Sequence, residues 1–434
     1  MMPVAIVHKA RRELASLLFG RDVNSVEDRN YRNLLLSGAW FGPVDGGIFN
    51  YLPVFLARLG ASPSLVSLLA SGPSLLGILC FIPGGAYAER HPDQVKLVVR
   101  AAFIARLSYL LIALLPLLLS PPQVALAAII LWSLMAIPNA VHVSAWTGVM
   151  QRAVPPSRRA QLNGTRWALM SLFSGSSIAL FGLLLDRTPF PAGYQIVFMA
   201  SFLANLLHLY YFGQVKVPPF VPHRAEGGNG GMADRLRSFW SPFVESRPFI
   251  RYNLATLSYR LALAMPAGLF SVFWVQDLHA SDTWIGLRGT AGYAALVVGY
   301  WYWGRMANRL GHRTLLWICG LAQASYPVLT ALAPAPQWLL PAAVVWGFTV
   351  SGIDIGFFDL LLATCPEGRQ PSFAAAANML ASVAITLGPL LGAGLAQVLG
   401  IQSALFAIGG LQAAATAFFV LLPGQEWEAA KAVP

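Results

Sequence analysis

The chain has 434 residues, of which 56% are hydrophobic and only 11% are charged. An apolar share this large excludes an ordinary soluble globular protein and an intrinsically disordered one. The formal net charge is +11, but the basic residues are dispersed along the chain between apolar stretches. That dispersal argues against a nucleic-acid partner and favours contact with anionic membrane lipids.

Twelve apolar stretches separated by short polar breaks fill the sequence. A helix that crosses a bilayer needs roughly 20 apolar residues, because the hydrocarbon core is about 30 Å thick. We predict spans at about 33–57, 63–88, 95–119, 122–150, 158–185, 192–214, 250–277, 283–304, 313–333, 337–363, 372–399 and 402–422. The pattern therefore predicts an all-α integral membrane protein with twelve transmembrane helices.

Three segments lie outside these spans. Residues 1–32 lack the apolar core of a cleavable signal peptide, and part of this cytoplasmic segment resembles an amphipathic helix on the membrane surface. Residues 216–249 begin with a stretch rich in Pro, Gly and charge, which predicts a cytoplasmic linker with a candidate interfacial helix after it. The remaining units are a first set of helices over 33–215, a second over 250–422 and a cytoplasmic tail over 423–434.

Lys and Arg are concentrated on one side of the predicted spans. With both termini in the cytoplasm, 24 of the 29 basic residues fall in cytoplasmic segments or toward the cytoplasmic ends of the spans. Two, Arg58 and Arg187, fall at the outer side, and the other three lie deeper within spans. Because positively charged loops stay in the cytoplasm, this asymmetry predicts a multi-pass protein of the cytoplasmic (inner) membrane with both termini inside.

A short motif occurs twice in the sequence. Gly85-Ala86-Tyr87-Ala88-Glu89-Arg90 stands between the second and third spans, and Gly304-Arg305-Met306-Ala307-Asn308-Arg309 stands 219 residues later. The same displacement relates Ser62 to Ser281. Two related sets of six helices in one chain are typical of secondary transporters built from repeats.

On this duplicated motif the chain resembles the major facilitator superfamily over nearly its whole length. The resemblance implies two pseudo-symmetric six-helix halves that move a small-molecule substrate by alternating access, with proton coupling expected. It also implies that the motif bonds the two halves together on the cytoplasmic side when the cavity faces outward. The candidate gate residues are Gly85, Glu89, Arg90, Gly304, Asn308, Arg309 and Arg313.

Charged residues inside the spans are candidates for substrate binding and coupling, because a charge in lipid costs several kcal/mol unless it faces water or a partner. The resemblance implies that the first, fourth, seventh and tenth spans line the cavity. Asp45 lies near the middle of the first span, where Pro43, Gly46 and Gly47 are expected to loosen the helix. It would carry a proton or meet a cationic group, unless an arginine pairs with it permanently.

The seventh and tenth spans supply further candidates. Arg260, next to Tyr259, would hold an anionic group or neutralise Asp45, and the alternative is that its side chain extends toward the interface. Asp354 lies in the inner half of the tenth span and is a further candidate to face the cavity. Asp359 lies closer to the cytoplasm, where we expect it to pair with basic loops.

The fourth span carries His142, with Asn139 and Trp146 nearby. Histidine can change its charge near neutral pH, which would suit a coupling residue. A single histidine in an apolar helix is also often a packed, hydrogen-bonded structural residue. Both interpretations of His142 stay open on the sequence alone.

The sequence carries no signature of an enzyme. Its three cysteines have no metal-ligand spacing, and the HExxH and GxSxG patterns do not occur. We therefore expect a monomeric transporter without a metal or other cofactor. A lipid or amphiphile flippase or exporter with the same fold is the alternative, since the sequence identifies neither the substrate nor the direction of movement.

The predicted topology can be tested by cysteine labelling. A cysteine placed in the connection from Pro334 to Gln337 should react with a membrane-impermeant maleimide added outside the cell, because this connection joins the ninth and tenth spans on the outer side. Labelling from the inner face alone would contradict the orientation.

Overall fold

The computed structural model describes residues 25–218, 246–364 and 370–422. Within these ranges we find helices joined by short turns and no β-strand. The amphipathic N-terminal segment, the interfacial helix and the C-terminal tail that the sequence predicts lie outside the described residues.

The helices form two groups in chain order. The first group consists of α1 (Val26–Val44), α2 (Asn50–Arg58), α3 (Pro63–Glu89), α4 (Gln94–Leu114), α5 (Pro121–Leu134), α6 (Ala136–Ala153), α7 (Pro156–Arg187) and α8 (Ala192–Gly213). The second group consists of α9 (Arg247–Ala264), α10 (Ala267–Val272), α11 (Asp282–Leu310), α12 (His312–Ala331), α13 (Leu339–Thr364), α14 (Gln370–Leu399) and α15 (Ile401–Thr416).

Ten helical stretches among the described residues are long and apolar enough to cross a membrane. The protein is therefore a multi-pass membrane protein. The stretches predicted as the first and eighth spans are helical but are not among these ten. Polar residues lower the hydropathy of both, including Asp45 and Asn50 in the first and Arg288 and Tyr293 in the eighth.

A π-helical turn at Asp45–Phe49 joins α1 to α2, in the place where Pro43 and two glycines were expected to loosen the helix. A π-turn shifts the backbone hydrogen bonds by one residue, so that a backbone N–H group needs another acceptor. Here the backbone N–H of Ile48 donates to Oγ of Ser201 on α8, at 3.1 Å. The side-chain hydroxyl of a neighbouring helix thus stabilises the irregular turn that begins at Asp45.

Glycines bring α1 into close contact with α7. Gly38, Gly42 and Gly46 lie four residues apart and therefore share one face of the helix. A Cβ atom at Gly42 would lie 2.9 Å from the backbone nitrogen of Ser174, and one at Gly46 would lie 2.5 Å from its carbonyl oxygen. Small residues allow the two helices to approach this closely. Such packing matters because lipid supplies no hydrophobic driving force for helix association. The contact fixes the position of Asp45 relative to α7.

The turns before α3 and α11 have the same geometry, 219 residues apart. Gly60 and His279 both have positive φ, at 81° and 49°. Two residues later, Ser62 and Ser281 cap the following helices with side-chain oxygens that accept from the backbone of Leu65 and Trp284. The charge distribution predicts that these turns face outward, so we call this end of the molecule the outer end.

The glycine contact predicts a loss of stability on substitution. Gly42→Ala would press its Cβ against the backbone of α7, so the free energy of unfolding should fall by about 1–3 kcal/mol. Gly164→Ala is the matched control, because nothing lies within 4 Å of a Cβ at this position in α7 itself. There the removal of a helix glycine should be neutral or stabilising by roughly 0.5–1 kcal/mol. Thermal unfolding in detergent measures the stability of both variants. Equal melting temperatures for the two would contradict the contact.

Candidate functional site

Asp45 lies between the two groups of helices. Its carboxylate accepts a hydrogen bond from the hydroxyl of Tyr293 on α11. Asn50 lies further along the same helix toward the outer end and faces Gly289, since a Cβ at that glycine would lie 3.6 Å from its amide oxygen. The amide nitrogen of Asn50 is buried and has no hydrogen-bond partner among the described residues. The first predicted span thus faces α11 through two polar side chains.

Arg288, on the same helix as Tyr293, is surrounded by aromatic rings of the second group. Its guanidinium carbon lies 4.1 Å from the ring centroid of Trp274, 5.8 Å from that of Tyr326 and 6.0 Å from that of Trp346. The guanidinium also donates a hydrogen bond to the Tyr326 hydroxyl. We call these four residues the arginine box. The contacts are cation–π interactions, which are strongest where water is excluded.

The two candidate residues of the seventh predicted span, Arg260 and Tyr259, have different surroundings. Arg260 lies over the ring of Phe357 at 4.6 Å from the centroid, and the described residues place no carboxylate within ion-pair distance of it. The pairing with Asp45 that we considered is therefore not present in this structure. Tyr259 is fully buried and donates to the carbonyl of Gly320 on α12 at 3.3 Å. It packs in the second group and does not point to Asp45.

The two acids of α13 occupy different positions. Asp354 is exposed and accepts a hydrogen bond from the Tyr300 hydroxyl at 2.9 Å, toward the inner part of α11. Asp359 forms an ion pair with His312 at 2.9 Å, at the start of α12. The expectation that Asp359 pairs with a basic group near the inner turns is confirmed for this histidine.

The residues of the fourth span face neighbouring helices. His142 is 8% exposed, and its Nδ1 lies 3.4 Å from the carbonyl of Val98 on α4, which agrees with a packed structural histidine. Trp146 lies under the guanidinium of Arg166 at 5.1 Å. Asn139 is half-buried. None of these three contacts Asp45 or the arginine box.

The motif predicted as a gate lies at the inner ends of α3 and α11. A Cβ at Gly85 would have only the hydroxyl of Ser144 near it, at 3.7 Å, and one at Gly304 would have nothing within 4 Å. The close approach at this turn belongs instead to Gly84, where a Cβ would lie 3.1 Å from the backbone of Val141. In this conformation the close helix contact thus lies at Gly84, one residue before Gly85, where it was expected.

The arginines of the motif lie near solvent or at the edge of the helices. Arg90 and Arg309 are exposed, and Arg313 is half-buried. The side chains of Glu89 and Asn308 lie outside the part of the chain that the structure describes. The cytoplasmic gate therefore stays a prediction.

A polar cluster joins the two groups at the outer end. Asp282, at the start of α11, accepts hydrogen bonds from Arg58 at 3.2 Å and from the Tyr194 hydroxyl at 2.7 Å. In return, the carboxylate of Asp186 on α7 accepts from the backbone nitrogens of Asp282 and Thr283, both at 2.9 Å. Arg58, Asp186, Tyr194 and Asp282 border a pocket of about 430 Å³. We call Arg58, Asp186, Tyr194 and Asp282 the outer cluster.

Further hydrogen bonds join the outer turns directly. Arg58 donates to the carbonyl of Ala280 at 2.6 Å, and Gln276 donates to the carbonyl of Ala61 at 3.3 Å. Among the described residues, the hydrogen bonds that cross between the two groups lie at the outer end or near Asp45. At the inner ends, the ion pairs Arg158–Asp28 and His312–Asp359 each lie within one group.

The sequence reasoning did not identify Arg288, Asn50 or the outer cluster as parts of a site. Arg288 was visible as a charge in an apolar stretch, but its three aromatic neighbours come from three other segments. Asp282 stood in a predicted turn, where an exposed acid is ordinary. Only the approach of the two groups buries it, to 8% exposure of its side chain. The described residues contain no group of three or more metal-ligating side chains.

Comparison with protein-family models finds a match to part of the chain. Residues 252–432 match the family model of the Major Facilitator Superfamily. In sequence, this part of the chain is similar to that superfamily. No curated protein matches the chain.

Most of the chain shares its fold with solved transporters. A point mutant of the nucleoside transporter NupG has a TM-score of 0.71 at 10% identity, covering 91% of this chain and 100% of NupG. A bacterial homologue of the human lysosomal transporter Spinster gives 0.69 at 14% identity, with 90% and 95% covered. A bacterial homologue of the iron transporter ferroportin gives 0.69 at 15% identity, with 92% and 98% covered. The chain therefore has the fold of these solved transporters.

Proposed function

We propose that this protein is a monomeric secondary active transporter that moves a small solute across the cytoplasmic membrane by alternating access, coupled to protons. In this proposal twelve spans form two six-helix halves, with both termini in the cytoplasm. The observation that carries it is the distribution of contacts between the two groups of helices. They are joined at the outer end and at Asp45, while the inner ion pairs stay within each group.

The outer turns support the duplicated architecture. Arg58, in the first turn, donates to Ala280 in the second, and Gln276, in the second, donates to Ala61 in the first. Ala280 stands 219 residues after Ala61, which is the displacement of the sequence motif. The carbonyl at the equivalent position of each repeat therefore accepts a hydrogen bond from a side chain of the other repeat. This reciprocity is expected when two related halves face each other across a pseudo-two-fold axis.

The same contacts support alternating access. A transporter that rocks between two states breaks one set of contacts while it makes another, and the two packings differ by only a few kcal/mol. The outer cluster would close the outer side in the state seen here. The duplicated inner motif, with space for a Cβ at Gly304 and with Arg309 exposed, would close the inner side in the opposite state.

Asp45 is the residue that we assign to coupling. It is an acid near the middle of its span, and its hydrogen bond to Tyr293 crosses from one group to the other. The described residues place no arginine or lysine within ion-pair distance of it, so no permanent salt bridge fixes its charge. A carboxylate that gains or loses a proton would change a contact between the groups. Proton binding and the conformational change would thus be linked.

Asp45→Asn tests this assignment, because it removes the titratable group while keeping its size and much of its hydrogen bonding. Uptake into proteoliposomes would first be measured with labelled nucleosides, dipeptides and organic anions under an imposed proton gradient. A gradient of one pH unit supports roughly tenfold accumulation at one proton per substrate. For a substrate that the wild type accumulates, Asp45→Asn should only bring the substrate to equal concentrations inside and outside the proteoliposomes. Exchange of labelled for unlabelled substrate should continue in the variant.

Asp277→Asn is the matched control for this experiment. Asp277 ends the π-helical turn after α10 and is exposed, so the same substitution should leave accumulation unchanged. Proton-driven accumulation that persists in Asp45→Asn would refute the coupling role of Asp45. If no probe moves in the wild type under any gradient, while labelled lipid does, the alternative of a lipid flippase gains the support.

A further inference from the structure

The arginine box carries a positive charge without a carboxylate beside it. The described residues place no Asp or Glu oxygen within 4 Å of the Arg288 guanidinium. One donor goes to Tyr326, and the ring of Trp274 covers the face of the guanidinium. Arginine has five N–H donors that lie in the plane of the group, and stacking on a ring leaves them available. The edge of this guanidinium is therefore suited to a further acceptor.

Two other groups beside α11 also lack an acceptor. The indole nitrogen of Trp274 and the amide nitrogen of Asn50 are buried and have no hydrogen-bond partner among the described residues. Both are donors, like Arg288. Most buried polar groups in proteins have a partner, and those without one call for an explanation. Two unsatisfied donors, together with a guanidinium that has no carboxylate partner among the described residues, indicate a site for a group that accepts hydrogen bonds and carries negative charge.

We propose that Arg288 and Trp274 bind the carboxylate or phosphate of an organic anion, whose flat or apolar part lies against Trp274 and Trp346. This inference rests on the proposed transport function and names its substrate class. A carboxylate or phosphate matches the planar donor fork of arginine, and charge-assisted bonds of this kind are stronger than neutral ones. Asn50 would donate to the same ligand from the first group of helices. The ligand would then contact both groups, as the substrate of an alternating-access transporter must.

The shape of the box favours an aromatic or apolar body on the anion. Phe270 stacks on Trp274 with centroids 5.8 Å apart and an angle of 10° between the rings. Trp346 approaches Gly292, where a Cβ would lie 3.1 Å from its ring, so the absence of a side chain there brings this tryptophan next to α11. Aromatic surfaces of this kind bury apolar area and pair with other rings. Trp346 is half-buried, so part of its ring is available to such a body.

Thermal unfolding of the purified full-length protein tests the inference without any transport assay. The probes are benzoate and phenyl phosphate as anions, benzamide as a neutral analogue and benzylamine as a cation. A ligand that binds only the folded protein raises its melting temperature. Both anions should stabilise the wild type in a concentration-dependent manner, and benzamide and benzylamine should not. Equal stabilisation by all four probes, or stabilisation by benzylamine alone, would overturn the proposal.

Variants of the box connect this binding to named residues. Arg288→Gln should weaken anion binding at least tenfold, which corresponds to about 1.4 kcal/mol. Arg288→Lys should give an intermediate loss, because it keeps the charge but not the planar fork. Trp274→Phe keeps the ring and removes the donor, which should weaken binding several-fold. Unchanged anion binding in Arg288→Gln would refute the site. If that variant does not fold, unchanged binding in both of the other variants would refute it.

Arg305→Gln is the matched control, because Arg305 lies on the same helix over the ring of Trp301 at 4.0 Å but is exposed at the inner end. The Arg305→Gln variant should bind both anions as tightly as the wild type does. Lysophosphatidylglycerol, compared with lysophosphatidylcholine, distinguishes a lipid headgroup from a free anion. Stabilisation by the anionic lipid alone, lost in Arg288→Gln, would assign the same anion site to a headgroup.

The two proposals can fail separately. Selective anion binding without proton-driven uptake would refute the transport function and leave the anion site in place. Proton-driven uptake of a substrate without negative charge, together with no stabilisation by the anions, would leave the function and refute the anion site.

Discussion

The buried carboxylate of Asp282 joins the two groups of helices at the outer end through its hydrogen bonds. Asp282 is taken from water by the approach of α7 and α8, and a buried charge without partners would be costly. Arg58 and Tyr194, both from the first group, satisfy it, and Asp186 binds the backbone of the same turn. Each bond crosses between the groups. Because separating the groups would expose all of these partners to water together, these hydrogen bonds are expected to break or form together.

Further contacts between the groups come from α7 and α11, which approach closely below this cluster. Gly182 on α7 and Gly286 on α11 meet where a Cβ at the former would lie 2.5 Å from the carbonyl oxygen of Asp282. Further along α11, Thr290 donates to the carbonyl of Gly175 at 2.6 Å, and Tyr293 donates to Asp45. Lipid supplies no hydrophobic drive for such packing, so small residues and hydrogen bonds determine which faces meet. As a result, Asp45 faces the region between the groups.

The positions of the helices could be predicted from the sequence because apolar stretches of sufficient length have few alternatives in a membrane. The π-helical turn at Asp45 was also foreseeable, since a proline and two glycines weaken a helix in a known way. The start of α1 was not, because it depends on Ser25 as a capping residue. Asp45 was identified as a charge in an apolar stretch, and its partner Tyr293, 248 residues away, depends on how the groups pack.

The direction of each side chain was the main limit of the sequence reasoning. Most of these helices are apolar on all sides, so periodicity does not distinguish the face toward lipid from the face toward the interior. Tyr259 and His142 were candidates for the cavity, and the structure turns them toward α12 and α4. Conversely, the arginine box draws on α11, α12, α13 and the π-turn after α10. No spacing along the chain indicates such a combination.

The most direct test of alternating access is a pair of distances measured in the same protein. Spin labels at Leu118 and Gln337 report the separation of the groups at the outer end, and labels at Lys96 and Thr314 report it at the inner end. Asp282→Ala removes the centre of the outer cluster, and Asp277→Ala, on the neighbouring exposed turn, serves as control. The account predicts a longer outer distance and a shorter inner distance in Asp282→Ala alone. Distances that stay unchanged, or that lengthen at both ends, would contradict it.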